Sequence, residues 1–161
     1  MPAMRIAVLT ISDSVSRGER EDRTGPAVAE RCKALGWEVV VAETLPDERA
    51  TIASRLSTLS DSGAADIILT AGGTGIGPRD ATPEATLAAC EKPLPGVGEL
   101  MRARGRETNL RAALSRGVAA VRAKCLIVNL PGSPRGAVES LDAVAELLPH
   151  AVEVLHGAKH D

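Results

Sequence analysis

Four short apolar runs, separated by longer stretches of helical periodicity, set the rhythm of this chain. Residues 5–12 (RIAVLTIS), 38–45 (EVVVAETL), 66–71 (DIILTA) and 125–130 (CLIVNL) fit the length and apolar content of strands. Residues 26–35 read as a helix stopped by Gly36. Residues 48–60 read as a second helix, capped by Pro46-Asp47, with Ile52, Leu56 and Leu59 on one face. This alternation predicts an α/β fold whose parallel strands are joined by right-handed crossovers.

The middle of the chain is harder to read. Thr82-Pro83-Glu84 has the form of an N-cap, a first-turn proline and a first-turn acid opening a helix over 82–90. Another helix is expected over 97–104, past the break at Pro93 and Pro95. Residues 112–121 are ambiguous between helix and strand, their start leaning helical. A long helix is expected over 137–148; Pro149 should kink or end it, leaving 151–155 as a last turn or two. Residues 13–23 read as a polar loop, and nothing marks a linker within 1–161, so one domain is expected.

Composition narrows the function. Hydrophobic residues make up 44% of the chain but aromatic residues only 1%, with Trp37 alone. The core must be aliphatic, and a bound planar ring finds almost nothing to stack on. A net charge of −2 without a long basic run argues against nucleic acid as partner. Cys32, Cys90 and Cys125 are scattered, which suits reduced thiols better than a disulfide framework or zinc site. The apolar N-terminus is too short for a signal peptide and no segment approaches membrane-spanning length, so a soluble, cytoplasmic protein with no membrane partner is expected. His156 and His160 stand four apart, but no carboxylate or thiol supports a metal there.

The third apolar run stops abruptly at Gly72-Gly73-Thr74-Gly75, and a helix start follows. Such a turn presents bare backbone N–H groups where a phosphate can sit. Pro78 stands where a P-loop needs lysine and where G-x-G-x-x-G needs its third glycine, so neither motif applies. Ser12-Asp13-Ser14, Pro46-Asp47-Glu48 and NLPGSP (from Asn129) also follow strands directly. Parallel strands would gather all four segments on one edge, where α/β sheets bind ligands. Asp13, Ser14, Gly72, Gly73, Thr74, Gly75, Gly132 and Ser133 are therefore candidates for substrate binding. Asp47 and Asp80, at the ends of two strands, are carboxylates that could hold Mg2+, an ion that wants one or two of them beside phosphate. Blander readings compete: a tight glycine turn, a helix cap at Asp47, an Asx turn at Asp80, a plain turn at Ser133. Arg17, Arg20 and Arg23 are interleaved with Glu19, Glu21 and Asp22, which suits a solvated loop better than a phosphate clamp.

GGTGIGPRDATPEAT resembles the hallmark loop of the MogA/MoaB family of molybdopterin-binding proteins, which includes the G domain of gephyrin and that of its plant counterpart. The likeness continues in order through TISDS, DRTGP, LPDE, LSR and NLPGSP, over nearly the whole chain. It implies a three-layer αβα fold around a mostly parallel central sheet. It also implies a molybdopterin adenylyltransferase, which moves AMP from ATP, with Mg2+, onto the terminal phosphate of molybdopterin and releases pyrophosphate. By resemblance, Asp47 and Asp80 match two acids essential for transfer, and Ser115 matches a serine implicated in holding the pterin. The family further implies a homotrimer, or a hexamer in MoaB-like members. Because the chain resembles only the G-like domain, a separate molybdate-insertion protein is expected as partner. The attacking phosphate oxygen is already ionised at neutral pH, so no general base is required. The chemistry asks for neutralised charge and in-line placement. Two alternatives use related motifs: a MoaB-like non-catalytic pterin-binding or scaffolding protein, and a CinA-type pyrophosphatase, which the missing companion domain disfavours. Residues 102–111, rich in arginine, match no motif.

Overall fold

The structure is a computed structural model that describes residues 2–158; His160 lies outside the described residues. Six strands, β1 (Arg5–Ile11), β2 (Glu38–Leu45), β3 (Ile67–Ala71), β4 (Lys92–Pro93), β5 (Ala119–Arg122) and β6 (Cys125–Leu130), form one sheet. Their order is β2-β1-β3-β6-β5-β4. The first four in that order run parallel, while β5 and β4 run antiparallel to their neighbours.

β3 and β6 are buried throughout and β1 nearly so, which is why their sequences are continuous apolar runs. β2, at the edge, alternates exposed and half-buried positions. Successive strand residues point to opposite faces, and each face is covered by helices. On one side, α2 (Thr24–Ala34), α5 (Pro95–Arg106), α6 (Pro134–Val144) and α7 (Leu148–Leu155) contribute Val28, Met101, Leu141 and Val152 against Ile6, Val8, Leu69 and Val128. On the other, α3 (Arg49–Ser62) and α4 (Thr82–Ala89) bring Ile52, Leu56 and Ala85 onto Leu9, Ile68 and Ile127. The result is the expected three-layer αβα arrangement with an aliphatic core.

Several local expectations are corrected. Residues 13–23 are not all loop: a single helical turn, α1 (Asp13–Ser16), starts there, capped by Ser12, whose Oγ accepts from Val15 N–H at 3.3 Å. Residues 112–121 divide into the end of a 3-10 turn (Leu110–Leu114) and β5. Pro149 neither kinks nor ends the preceding helix. α6 stops at Val144, and Pro149 falls in the first turn of α7, where a missing N–H leaves no bond unmade. Glu48, not Asp47, is the N-cap residue of α3, and Ala81, not Thr82, that of α4.

β1 leads to an outer neighbour, β2, whereas the chain then returns to β3 on the other side of β1. That reversal opens a crevice beyond the carboxyl ends of β1 and β3.

Candidate functional site

Because β1, β2, β3 and β6 are parallel and end nearly in register (Ile11 beside Leu45, Ala71 beside Leu130), their four polar loops meet on one rim. The glycine loop is pressed hard against its neighbours. Gly72 has φ +113°, and a Cβ there would stand 2.2 Å from the Ile11 carbonyl oxygen. Its N–H donates to Leu130 C=O at 3.0 Å, so it offers close approach but no free donor. Gly73, at φ +69°, accepts at its carbonyl from Thr82 N–H. The fully buried Thr82 hydroxyl donates to Gly72 C=O at 3.0 Å, so this threonine pins the loop and is no cap.

Asp13 and Asp47 clip their loops together. Asp13 N–H donates to Asp47 Oδ2 at 3.0 Å, and Asp47 N–H donates to Asp13 Oδ1 at 2.9 Å. Arg79 adds two bonds to the Asp13 carboxylate, at 3.0 and 3.1 Å. The Arg79 guanidinium, and then the Asp47 N–H, hold the Asp13 carboxyl below the ordinary aspartate range. Its oxygens are thus committed, and Asp13 serves as a fastener on this rim. Ser14 Oγ lies 3.2 Å from Ser12 Oγ, and neither Asp13 nor Ser14 lines the cavities described next.

Two cavities open at the rim. The larger, about 730 Å³, is lined by Asp22, Asp47, Gly72, Arg20 and Arg23 among others. The smaller, about 400 Å³, is lined by Thr74, Gly75, Arg102, Leu114 and Ser115 among others. Gly73, Asp80, Gly132 and Ser133 line both, so the two spaces share a wall. Ser133 also caps α6, its Oγ accepting from Gly136 N–H at 3.1 Å. Ser115 closes the 3-10 turn in an extended conformation instead of sitting on a helix surface.

Asp47 Oδ1 is the unusual atom. It is buried without a hydrogen-bond partner. Burial pushes this carboxyl above the ordinary aspartate range, and the negative charges of Asp13 and Asp80 push the same way. Asp80 Oδ2 accepts from Gly77 N–H at 2.9 Å, which ties the acid to its own loop. No cluster of three or more His, Cys, Asp or Glu suited to a metal occurs among the described residues. Two carboxylates lining one cavity, one with an unpaired buried oxygen, fit a hard cation that also takes water and phosphate oxygens.

The sequence reading did not single out Arg79, Thr82 or Arg116 for what they do. Arg79 and Arg116 bond across to another loop, and Thr82 closes its own loop back onto Gly72 and Gly73, so no short local pattern marks them. Asn129 is similar: its amide donates to the hydroxyls of Thr70 and Thr86 at 3.0 Å each and accepts from Val118 N–H at 3.1 Å.

The family described as "Probable molybdopterin binding domain" matches residues 7–150. The molybdopterin adenylyltransferase of Helicobacter pylori (strain ATCC 700392 / 26695) is 41% identical over 159 residues, covering 98% of this chain and 90% of that one. The Escherichia coli K12 protein of the same name is 36% identical over 171 residues, covering 98% and 88%. Among solved structures, the molybdopterin biosynthesis enzyme MoaB from Thermus thermophilus superposes with a TM-score of 0.90 at 47% identity, covering 98% of this chain and 99% of that one. No helix among the described residues is long and apolar enough to cross a membrane.

Proposed function

We propose that this chain, which belongs to the molybdopterin-binding MogA/MoaB family, is a molybdopterin adenylyltransferase of molybdenum cofactor biosynthesis. It moves AMP from ATP onto the terminal phosphate of molybdopterin. A phosphate oxygen of molybdopterin forms the new bond to the α-phosphorus, and the bond to the β-phosphate breaks, pyrophosphate taking the electron pair. The observation that carries this reading is the shared wall. Two cavities, about 730 and 400 Å³, meet at Gly73, Asp80, Gly132 and Ser133, as a transfer between two bulky anions requires.

ATP is assigned to the larger cavity and molybdopterin to the smaller, beside Ser115. The bound reactants are held in line, which removes much of the entropic barrier of a two-substrate reaction. Gly73, Thr74 and Gly75 bring main chain up to the reacting phosphates. Asp47 and Asp80 would hold Mg2+, whose charge offsets that of the phosphate oxygens. The same reading makes the protein a cytoplasmic homotrimer or hexamer working beside a separate molybdate-insertion protein.

Incubation with ATP, Mg2+ and molybdopterin tests it: pyrophosphate and an adenylylated pterin should appear together, and Asp80→Asn should abolish both. Pterin binding without pyrophosphate would replace the enzyme by a binding protein. Pyrophosphate released without pterin would replace it by a pyrophosphatase.

A further inference from the structure

Residues 76–79, at the tip of the glycine loop, are exposed, yet the loop delivers Asp80 to the wall between the two cavities. Something must hold it. Within the loop, Asp80 N–H donates to Gly77 C=O at 3.1 Å and Gly77 N–H donates to Asp80 Oδ2. Those bonds fix the carboxylate relative to residues 77–80 but not relative to the sheet. Arg79 ties the tip to Asp13 on the neighbouring rim loop, and Arg116 ties both ends of the loop to the segment that leads into β5. The Arg116 backbone N–H donates to Thr74 C=O at 2.8 Å. Its guanidinium donates from Nε to Gly75 C=O at 2.8 Å, from Nη2 to Asp80 C=O at 3.1 Å and from Nη1 to Glu84 Oε2 at 2.6 Å. One side chain therefore grips the entry of the loop, its exit and the first turn of α4.

Arg116 itself lines neither cavity, so it does not reach the bound substrates' space. It follows Ser115, which lines the smaller cavity. The segment that carries the pterin-side serine thus also sets the position of the acid on the shared wall. We infer that Arg116 is a positioning residue for the transfer reaction: its guanidinium fixes the 75–80 loop, and through it Asp80, at the junction of the two cavities. The inference rests on the adenylyltransferase reading. A planar fork with donors in fixed directions suits three acceptors set around it, and a lysine ammonium does not reproduce that geometry.

The test compares wild type with Arg116→Ala, Arg116→Lys and Glu84→Gln. Saturating kinetics and hydrogen exchange of the 75–80 amides are measured on each. Displacing a reacting group by about an ångström costs on the order of a hundredfold. Arg116→Ala should accordingly lose about ten- to hundredfold in kcat, while KM for ATP and for molybdopterin moves by less than about threefold. Added guanidinium ion at millimolar level should restore part of that rate, and Arg116→Lys should stay well below wild type. Exchange at 75–80 should quicken in Arg116→Ala with the β1 and β3 amides unchanged. Glu84→Gln, which removes only the guanidinium's ionic partner, should show both effects more weakly and covers the case in which Arg116→Ala does not fold. Wild-type kcat in a folded Arg116→Ala, or unchanged exchange over 75–80, overturns the inference. The exchange readout needs no turnover. If wild type releases no pyrophosphate, the adenylyltransferase reading fails while the role of Arg116 is still decided.

Discussion

Asp47→Asn should leave the protein more stable at neutral pH and nearly inactive. In the native protein Asp47 Oδ2 accepts from Asp13 N–H, while Oδ1 is buried with no partner. A buried, unsatisfied acceptor costs about 1–3 kcal/mol. Asparagine keeps the bond to Asp13 through its amide oxygen and removes the charge. It also places an N–H donor where Oδ1 was, so only part of the cost is recovered, about 1 kcal/mol. For a domain of this size that raises Tm by about 2–4 °C. The pH dependence follows from linkage. The Asp47 carboxyl sits above its ordinary range because burial disfavours the charge, with Asp13 and Asp80 adding to the effect. The folded state thus binds this proton more tightly than the unfolded chain, and the ionised side chain weakens the fold at pH values above the raised pKa. The advantage of the variant should be complete at pH 7–8, shrink as pH falls through that pKa and vanish near the ordinary aspartate value of about 3.9. Activity should move oppositely. If Asp47 holds Mg2+ as proposed, losing that carboxylate should cost several kcal/mol in the barrier, on the order of 10²–10³ in kcat. Circular-dichroism melts from pH 4 to 8, with pyrophosphate release at saturating substrate, measure both. A Tm below wild type at pH 7, a difference that does not vary with pH, or kcat within about threefold of wild type would refute the reasoning.

Gly72→Ala should lose about 2–4 kcal/mol in urea unfolding, because φ +113° strains any side chain and the new Cβ meets a main-chain oxygen at 2.2 Å; a loss below about 1 kcal/mol would mean that β1 yields easily. Asn129→Leu should lose about 2–3 kcal/mol by stranding Val118 N–H and dropping the bonds to Thr70 and Thr86, and an unchanged urea midpoint would show the network to be dispensable. Burial pushes the Cys32 and Cys125 thiols up to about 11 and the Cys90 thiol up to about 12. Iodoacetamide at pH 8 should therefore label native protein far more slowly than urea-unfolded protein, with mass spectrometry counting the adducts; rapid native labelling of the half-buried Cys90 would contradict its raised pKa.

The parts of the fold visible in the sequence are those that local chemistry decides. CLIVNL and EVVVAETL match β6 and β2 to the residue, since strongly apolar or valine-rich runs bounded by polar positions have few other solutions. The alternation of strands and helices predicted the parallel order, and that order alone brings the four loops together. Residues 112–121 resisted because β5 has only four residues and directly follows the 3-10 segment and its exit, too short a span for a period of two to declare itself. The capping rules failed at Asp47 and Thr82 for a different reason. Both residue types and both positions suit a cap, but Asp47 is engaged by Asp13 N–H, far off in sequence, and Thr82 by Gly72 C=O, at the other end of its own loop. Asp47 is expected at the site and Thr82 only at a helix start, and neither partner is foreseen.

Those unforeseen partners point to how the rim works. Nearly every buried polar group in a folded protein finds a partner, and this rim follows the rule with care: Gly72 N–H goes to Leu130, Gly73 C=O to Thr82 N–H, and the Asp13 carboxylate to Arg79 and Asp47. Two buried side-chain atoms among the described residues lack a hydrogen-bond partner, Asp47 Oδ1 and Ser60 Oγ, and the latter, on α3 beside Cys125, is remote from the rim. A carboxylate oxygen held out of water near two other negative groups, on a wall otherwise satisfied, is poorly explained as a stabilising feature. It would become favourable with a cation beside it, as the proposed function requires, because a cation would supply the missing partner and offset repulsion from Asp13 and Asp80 together. A Mg2+–nucleotide complex should for that reason bind with more free energy than two well-solvated surface carboxylates could provide. If the proposed function holds, stability withheld from the protein alone would be returned on binding.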